Sequence, residues 1–415
     1  MAWFRRALAA LCLLIIPTMA AQAEDVHYDV RAEIDRAGML DAEVTITLPA
    51  GAAGRDKAFL LGRRFTLQPV DAGPGATVAV TPTETPVDTL HKIDIHFASP
   101  GRHVLHFRYR GPLNPAKDDG ITPLRPEGIE LFLDHMWLPF GADIQTMFSA
   151  DARIDGLAPD LVVVGQGKVT RTRTGVRIVR RQLDIDLPMV AMRGLKRVAG
   201  RGFEYYATDP TTPVSQIYVR HAAGASAYLQ QWFGVLPDPI RLAAVNRARK
   251  LGYSRTAYTV VNDNGRPEGD DPEPGTARHV AHEFAHAWWR SASPLSEDFW
   301  LVESTAEYCA LRYVEQSLGA DAAKALIDSK RADAAKAGAI MGHGRPNRVQ
   351  LYQKGPLLLI DLEQRIGRPA MDRLLRRVSD ESRTAPNTTP EFLRALTDIG
   401  GADAAKAFNA ALHAG

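Results

Sequence analysis

Two histidines four residues apart, His282 and His286, constrain this 415-residue chain more than any other feature. They stand in the run His282-Glu283-Phe284-Ala285-His286, inside a stretch with helical patterning. On a helix, residues four apart share a face, so both imidazoles can grip one metal ion. Zinc suits nitrogen ligands, and a zinc site that does chemistry keeps one position open for water. Glu283, one residue on, stands where it can take a proton from that water. Two histidines do not complete such a site, so the fold must bring a third ligand to this helix.

The segment Phe299 to Tyr308 offers one. Trp300-Leu301-Val302-Glu303 opens a second predicted helix that runs to about Gly319. The polar stretch Ser291 to Ser296, with the helix breaker Pro294, separates the two helices. Antiparallel helices with so short a link can present Glu303 to the same ion. Glu307 lies one turn further on the same face and is the candidate acceptor that orients a ligand imidazole. A third element is Tyr352-Gln353-Lys354-Gly355, ahead of the apolar run Pro356 to Ile360. A phenol near a metal can donate a hydrogen bond to a developing oxyanion. A Tyr at the start of a buried helix is also an ordinary structural role, and spacing alone does not choose between them.

Taken together, these residues resemble the zinc aminopeptidases of the aminopeptidase N family, within the gluzincins. That family's pattern is His-Glu-x-x-His, then a Trp-Leu-x-Glu-Gly helix start, then Tyr-x-Lys-Gly. Here it reads His282 to His286, Trp300-Leu301-Val302-Glu303-Ser304 and Tyr352-Gln353-Lys354-Gly355. Trp288-Trp289, the stretch Tyr228 to Gly234, and Met136-Trp137-Leu138-Pro139 resemble further family features. The resemblance implies an α+β fold: an N-terminal β-sandwich-like domain, then a thermolysin-like zinc-peptidase domain with a helical C-terminal part. It implies that His282, His286 and Glu303 bind one zinc per chain, that Glu283 is the general base, and that Tyr352 stabilises the oxyanion.

Three departures qualify this pattern. The link to Glu303 is two residues shorter than usual, and Ser304 replaces the usual Gly. The Gly-x-Met-Glu-Asn motif, whose Glu recognises a substrate's free α-amine, is missing, and the corresponding strand region reads Gly252-Tyr253-Ser254-Arg255-Thr256-Ala257. The sequence ends at Gly415 without a large C-terminal helical domain, which suggests a more open cleft. The expected activity is a zinc-dependent peptidase acting on peptides or proteins, in first place an aminopeptidase. The alternatives are an endopeptidase, a dedicated processor of one periplasmic protein or, in a different class, a peptide-binding protein on a retired peptidase fold.

Composition sets the context. Arg5-Arg6, the apolar run Ala7 to Ile16 and Ala21-Gln22-Ala23 read as a secretory signal over 1–23, which points to a periplasmic or secreted protein. Formal charge is +2, and it falls to 0 without those residues, which hold two Arg and no acid. Nothing in that balance suggests nucleic acid or a charged membrane surface as a partner. Cys309 is then the lone cysteine, expected as a small buried residue in the second zinc-site helix.

Residues 24–212 read as the β domain. Val44, Ile46 and Leu48 alternate with polar residues, as do Ile93, Ile95 and Phe97, and Leu105, Phe107 and Tyr109. Ser99-Pro100-Gly101 predicts a hairpin between the last two runs. Its four histidines, 91, 96, 103 and 106, are expected on a solvated polar face. Thr208 to Pro213 predicts the junction to the catalytic domain, 213–415. Strands are expected at Ile217 to Val219 and Ile240 to Val245, with a helix from Ala223 to Phe233 between them, and at Ala257 to Val261 along the cleft edge. The loop Asn262 to Thr276 is rich in acids, among them Asp263, Glu268, Asp270, Asp271 and Glu273, and one of these is a candidate for the missing amine-binding Glu. Gly342-His343-Gly344-Arg345-Pro346 is a second such loop, with His343 and Arg345 as candidate substrate contacts. Thr389-Pro390-Glu391 predicts a helix start with Thr389 as its cap, and a last helix runs from Ala402 to His413.

Overall fold

The structure, a computed structural model, describes residues 25–50, 54–84, 89–115, 122–246, 252–262, 272–289, 292, 294–383 and 387–415. The expected signal segment lies outside these residues, as do Asp263, Glu268, Asp270 and Asp271. Among the described residues no helix is long and apolar enough to cross a membrane.

The alternating runs form strands with one buried face. In Met39–Leu48 every second side chain, from Leu40 to Leu48, is buried. This strand belongs to a seven-stranded sheet that includes Val26–Ile34, Phe148–Asp155 and His103–Pro112. A four-stranded sheet that includes Asp56–Gly62, Thr89–Phe97 and Ala76–Glu84 shares its apolar core. Phe59 of one sheet meets Phe107 of the other with ring centroids 5.6 Å apart. A third sheet pairs Leu161–Gly165, Met189–Arg193, Gly128–Leu131 and Leu124–Arg125.

The expected hairpin does not form. Thr89–Phe97 pairs with Asp56–Gly62 and Ala76–Glu84, whereas His103–Pro112 pairs with Met39–Leu48 and Thr66–Leu67. The turn at Ser99 to Gly101 therefore carries the chain from one sheet to the other. Alternation fixes which face of a strand is buried, not which strand it pairs with. The four histidines have separate partners, as a polar face requires. His96 Nδ1 lies 2.7 Å from Asp56 Oδ1 and His106 Nδ1 3.1 Å from Thr45 Oγ1. His91 and His103 reach the carbonyls of Phe65 and Ser99.

A five-stranded sheet follows, in the order Lys196–Gly200, Phe203–Ala207, Ile240–Val245, Tyr258–Asn262, Tyr253–Arg255. Its first two strands precede the junction expected at 208–213. The outermost strand beside the cleft is Tyr253–Arg255, antiparallel to its neighbour, so the expected edge run 257–261 lies one strand further in. Ala257, with φ 52°, makes the tight reversal between the two.

Eight α-helices complete the described chain: α1 (Pro213–Phe233), α2 (Pro272–Ala285), α3 (Trp300–Leu318), α4 (Ala320–Ala334), α5 (Gly355–Ile366), α6 (Arg368–Glu381), α7 (Thr389–Gly400) and α8 (Ala402–His413). The strand expected at Ile217 to Val219 is part of α1. Thr212 caps this helix by accepting from the Ser215 N–H, and Pro213 fills the first turn. Tyr218, Ala222, Ala225, Leu229 and Phe233 are buried along one face, a helical period that a three-residue window does not reveal. The cap of α7 is Thr388, not Thr389: Thr388 and Glu391 form a reciprocal capping box. The Thr389 hydroxyl instead accepts from the Trp300 indole at 2.9 Å and donates to Asp298 at 2.6 Å, tying α7 to the start of α3.

His221 joins three of these helices. It is 2 % exposed; its Nδ1 is 3.0 Å from the Tyr313 hydroxyl on α3, and its Nε2 is 3.3 Å from Glu273 on α2. Arg220 sits on the same Glu273 oxygen at 3.1 Å. Burial lowers the His221 pKa below 6.5 and outweighs the pull of Glu273. A histidine with a depressed folded pKa binds fewer protons folded than unfolded. Its contribution to stability is present above pH 6.5 and is lost as pH falls through the folded value. Urea midpoints should therefore drop on acidification below pH 6.5, and His221→Gln should flatten that drop. An unchanged slope in the variant would clear His221 as its source.

Candidate active site

Helix α2 brings His282 and Glu283 to the floor of a cleft, and His286 follows in the turn just past its last residue. The two imidazoles face one another with Nε2 atoms 3.2 Å apart. Helix α3 packs against α2 and sets Glu303 beside them. Glu303 Oε2 lies 3.3 Å from His282 Nε2 and 3.7 Å from His286 Nε2. Tetrahedral zinc, with bonds of about 2.0–2.1 Å to each ligand, spaces its ligand atoms about 3.3–3.4 Å apart. Among the described residues this group converges as a metal site would require, and its three ligand atoms fit that triangle.

Both histidines have an acceptor behind them. His286 Nδ1 donates to the Trp289 carbonyl at 3.0 Å, which leaves Nε2 as the lone-pair nitrogen. His282 Nδ1 lies 3.0 Å from Oε2 of Glu307, the position expected for an orienting acceptor. Glu307 is completely buried and meets two cations. Lys330 Nζ is 2.6 Å from its Oε1, and Arg278 Nη1 is 3.0 Å from its Oε2. Burial pushes the Glu307 carboxyl up, but Arg278 and Lys330 more than reverse that and hold it well below the ordinary carboxylate range. Burial likewise raises the Glu303 carboxyl, and the His286 and His282 charges reverse it. His282 is pushed down by burial and up, more strongly, by Glu303 and Glu307.

Glu283 points into the same cleft. Its Oε2 accepts from the Ser254 hydroxyl at 2.7 Å, and Ser254 Oγ is 2.8 Å from Thr259 Oγ1. Burial raises its pKa, but His279, His282, His286 and the Ser254 hydrogen bond together hold it below the usual value. The carboxylate is therefore ionised at neutral pH and able to accept a proton.

Tyr352 lies in a π-helical turn, Gln350–Lys354, that leads into α5. Its ring stacks on His282 with centroids 5.4 Å apart, and the Arg348 guanidinium sits 4.7 Å above it. Burial and the nearby Glu303 raise its pKa far above the ordinary phenol range, so it is a hydrogen-bond donor. The residue that departs from the resembled pattern, Ser304, has a place here: its hydroxyl donates to the Leu351 carbonyl at 2.7 Å and ties α3 to this turn. Gly355 allows the close approach, since a Cβ there would lie 2.0 Å from Ser304 Oγ. Lys354 is structural and donates to the carbonyls of Gly338 at 3.0 Å and Ala414 at 2.6 Å.

The triad, Glu283 and Tyr352 line a cavity of about 320 Å³. Its other walls are Ser254 and Arg255 of the outermost strand, Asp134, and apolar side chains including Leu133, Met147 and Phe299. The β domain fixes that strand. Buried Asp186 accepts from Leu133 N and from Arg255 Nε, both at 2.9 Å, and Asp184 accepts from Thr256 N at 2.8 Å.

Some expected contacts do not reach the cavity. His343 is exposed, and Arg345 donates to the Pro294 carbonyl at 2.6 Å and lies over the Phe299 ring; neither lines the site. Their loop is braced against the rim, where Gly342 N donates to Glu297 at 2.8 Å. Glu273, the described member of the acidic loop, is engaged by Arg220 and His221 and is not among the lining residues. The residues not anticipated are Ser254, Asp134, Arg278 and Lys330. Of these, Arg278 left a signal, since it precedes His282 by four residues on one helix face.

A β domain joined to a helical domain in which a His-Glu-x-x-His helix meets a Glu-bearing helix is the two-domain fold of the M1 zinc metallopeptidases. Among solved structures the chain is similar to the M1 zinc metallopeptidase from Deinococcus radiodurans, at 18% identity and a TM-score of 0.67 over 94% of each chain. It is similar to a mutant of an M1 zinc metallopeptidase from that organism bound to a Tyr-Ser-Ala substrate, at 19% identity and a TM-score of 0.65 over 94% of each chain. It is also similar to native yeast LTA4 hydrolase, at 14% identity and a TM-score of 0.70, over 94% of this chain and 68% of that one. Likeness at these identities establishes the fold. No protein-family model and no curated protein sequence matches the chain.

Proposed function

We propose that the protein is a zinc-dependent peptidase, and in first place an aminopeptidase. The observation that carries this reading is the His282–His286–Glu303 triangle with an ionised Glu283 beside it in one cavity. Zinc held there would lower the pKa of water to about 7 and polarise the scissile carbonyl. Glu283 takes the proton of the attacking water and returns it to the leaving amine. Ser254 keeps the Glu283 carboxylate aimed. Tyr352 donates its phenolic hydrogen to the developing oxyanion. The strand Tyr253–Arg255, outermost in its sheet, is placed to hold an extended peptide backbone by strand addition. The pattern of residues 1–23 supports a place outside the cytoplasm.

The aminopeptidase reading draws on the similar structure described with a Tyr-Ser-Ala substrate and on Asp134, an exposed carboxylate on the cavity wall where a free α-amine could bind. A second reading, an endopeptidase, is favoured by the cavity-wall strand Tyr253–Arg255, which carries no carboxylate where the resembled family has its amine-recognising Glu. One long peptide, offered free and N-acetylated and followed by mass spectrometry, separates them. Stepwise loss of residues from the free form alone is expected. Internal cuts in both forms would move the assignment to the endopeptidase. No cleavage of either by a protein holding one zinc would overturn the peptidase reading.

A further inference from the structure

One ammonium group joins the two halves of this site. Lys330, on α4, is only 7 % exposed. A lysine that deep in a protein needs partners for its charge and its three donors. Its Nζ lies 2.6 Å from Glu307 Oε1 and donates to the backbone carbonyl of Tyr352 at 3.0 Å. The first contact bears on the metal ligands, because the other oxygen of Glu307 faces His282 Nδ1 at 3.0 Å. The second bears on the phenol, because the carbonyl it grips belongs to the residue that carries the phenol.

The π-helical turn explains why the second contact matters. A π turn departs from the regular helical hydrogen-bond spacing and is held by its surroundings. Here Ser304 of α3 takes the Leu351 carbonyl, and Lys330 of α4 takes the next one. We propose that Lys330 is a positioning residue that sets the metal-ligand geometry through Glu307 and the Tyr352 phenol through its backbone. Arg278 Nη1 also reaches Glu307, at 3.1 Å from Oε1 and 3.0 Å from Oε2, while Lys330 contacts both Glu307 and the turn. This inference rests on the peptidase reading for its second arm and on the metal site alone for its first.

The test uses the full chain with Lys330→Met, Lys330→Arg, Glu307→Gln and the Lys330→Met/Glu307→Gln pair. Zinc and cobalt affinities come from competition with a chelator; kcat and KM are measured at saturating zinc. Lys330→Met should weaken metal binding by about 10–100-fold, the usual cost of losing an outer partner of a ligand. It should also lower kcat by about tenfold or more with KM unchanged. Lys330→Arg, which keeps a cation, should recover part of both losses. In the Glu307→Gln background, Lys330→Met should no longer change metal affinity but should still lower kcat. The pair removes opposite charges together and so leaves Lys330 uncharged without stranding Glu307, which covers the case in which Lys330→Met alone does not fold. Full metal affinity and full kcat in Lys330→Met would overturn the proposal, as would affinity losses that simply add in the pair. If no peptide is cleaved by any form, the cobalt and zinc affinities still decide the first arm while the peptidase reading falls separately.

Discussion

Glu283→Gln is expected to lose about 10²–10⁴-fold in turnover, the range a positioned general base contributes, while retaining one zinc per chain. The geometry makes this a clean substitution. Glutamine has the same shape, and its amide oxygen can still accept from the Ser254 hydroxyl that now bonds Glu283 at 2.7 Å. Glu283 is not one of the three converging ligand atoms, so metal content should not change. What disappears is a carboxylate kept ionised, against its burial, by His279, His282 and His286. Turnover on a peptide substrate, with zinc counted by elemental analysis of the same sample, reads both halves of the expectation. A variant with near-normal turnover would remove Glu283 from the mechanism. One that loses its zinc would recast Glu283 as a residue that shapes the metal site.

The parts of this site that were legible in the sequence are those fixed by spacing along one helix or by one short connection. His282 and His286 share a helix face by construction, and a brief link leaves α3 little choice but to run back past α2, which delivers Glu303 and Glu307. The buried faces of the strands were legible for the same local reason. Choices that depend on distant partners were not. Ile93 to Phe97 and Leu105 to Tyr109 looked like neighbours because both alternate, yet each strand found a different sheet. Tyr253–Arg255 is three residues long and holds a Ser and an Arg, so its composition does not mark a strand, and only the family resemblance pointed to one there. Lys330 sits on a helix with many exposed residues, and only the packing of α4 turns it inward. The α7 cap is a different kind of miss. Two threonines are adjacent, and the box spacing of Thr, two residues, then Glu selects Thr388 over Thr389.

Tyr352→Phe should lower kcat by about 10²–10³-fold, the usual cost of one oxyanion donor, with little change in KM or zinc content. The ring itself is structural. It stacks on His282 at 5.4 Å and lies under Arg348 at 4.7 Å, and phenylalanine keeps both contacts. The backbone braces are untouched as well, because Ser304 and Lys330 hold the carbonyls of Leu351 and Tyr352 rather than the phenol. The substitution therefore isolates one O–H group. Burial and the nearby Glu303 raise its pKa far above the ordinary phenol range, so the group is protonated where Glu283 is ionised. A donor used only as negative charge develops acts on kcat, whereas one that grips the ground-state substrate acts on KM. A raised KM with normal kcat would make Tyr352 a substrate-binding wall. Unchanged kinetics would leave it the buried helix-start tyrosine that its sequence position equally allowed, and the oxyanion would need another donor from the cavity lining.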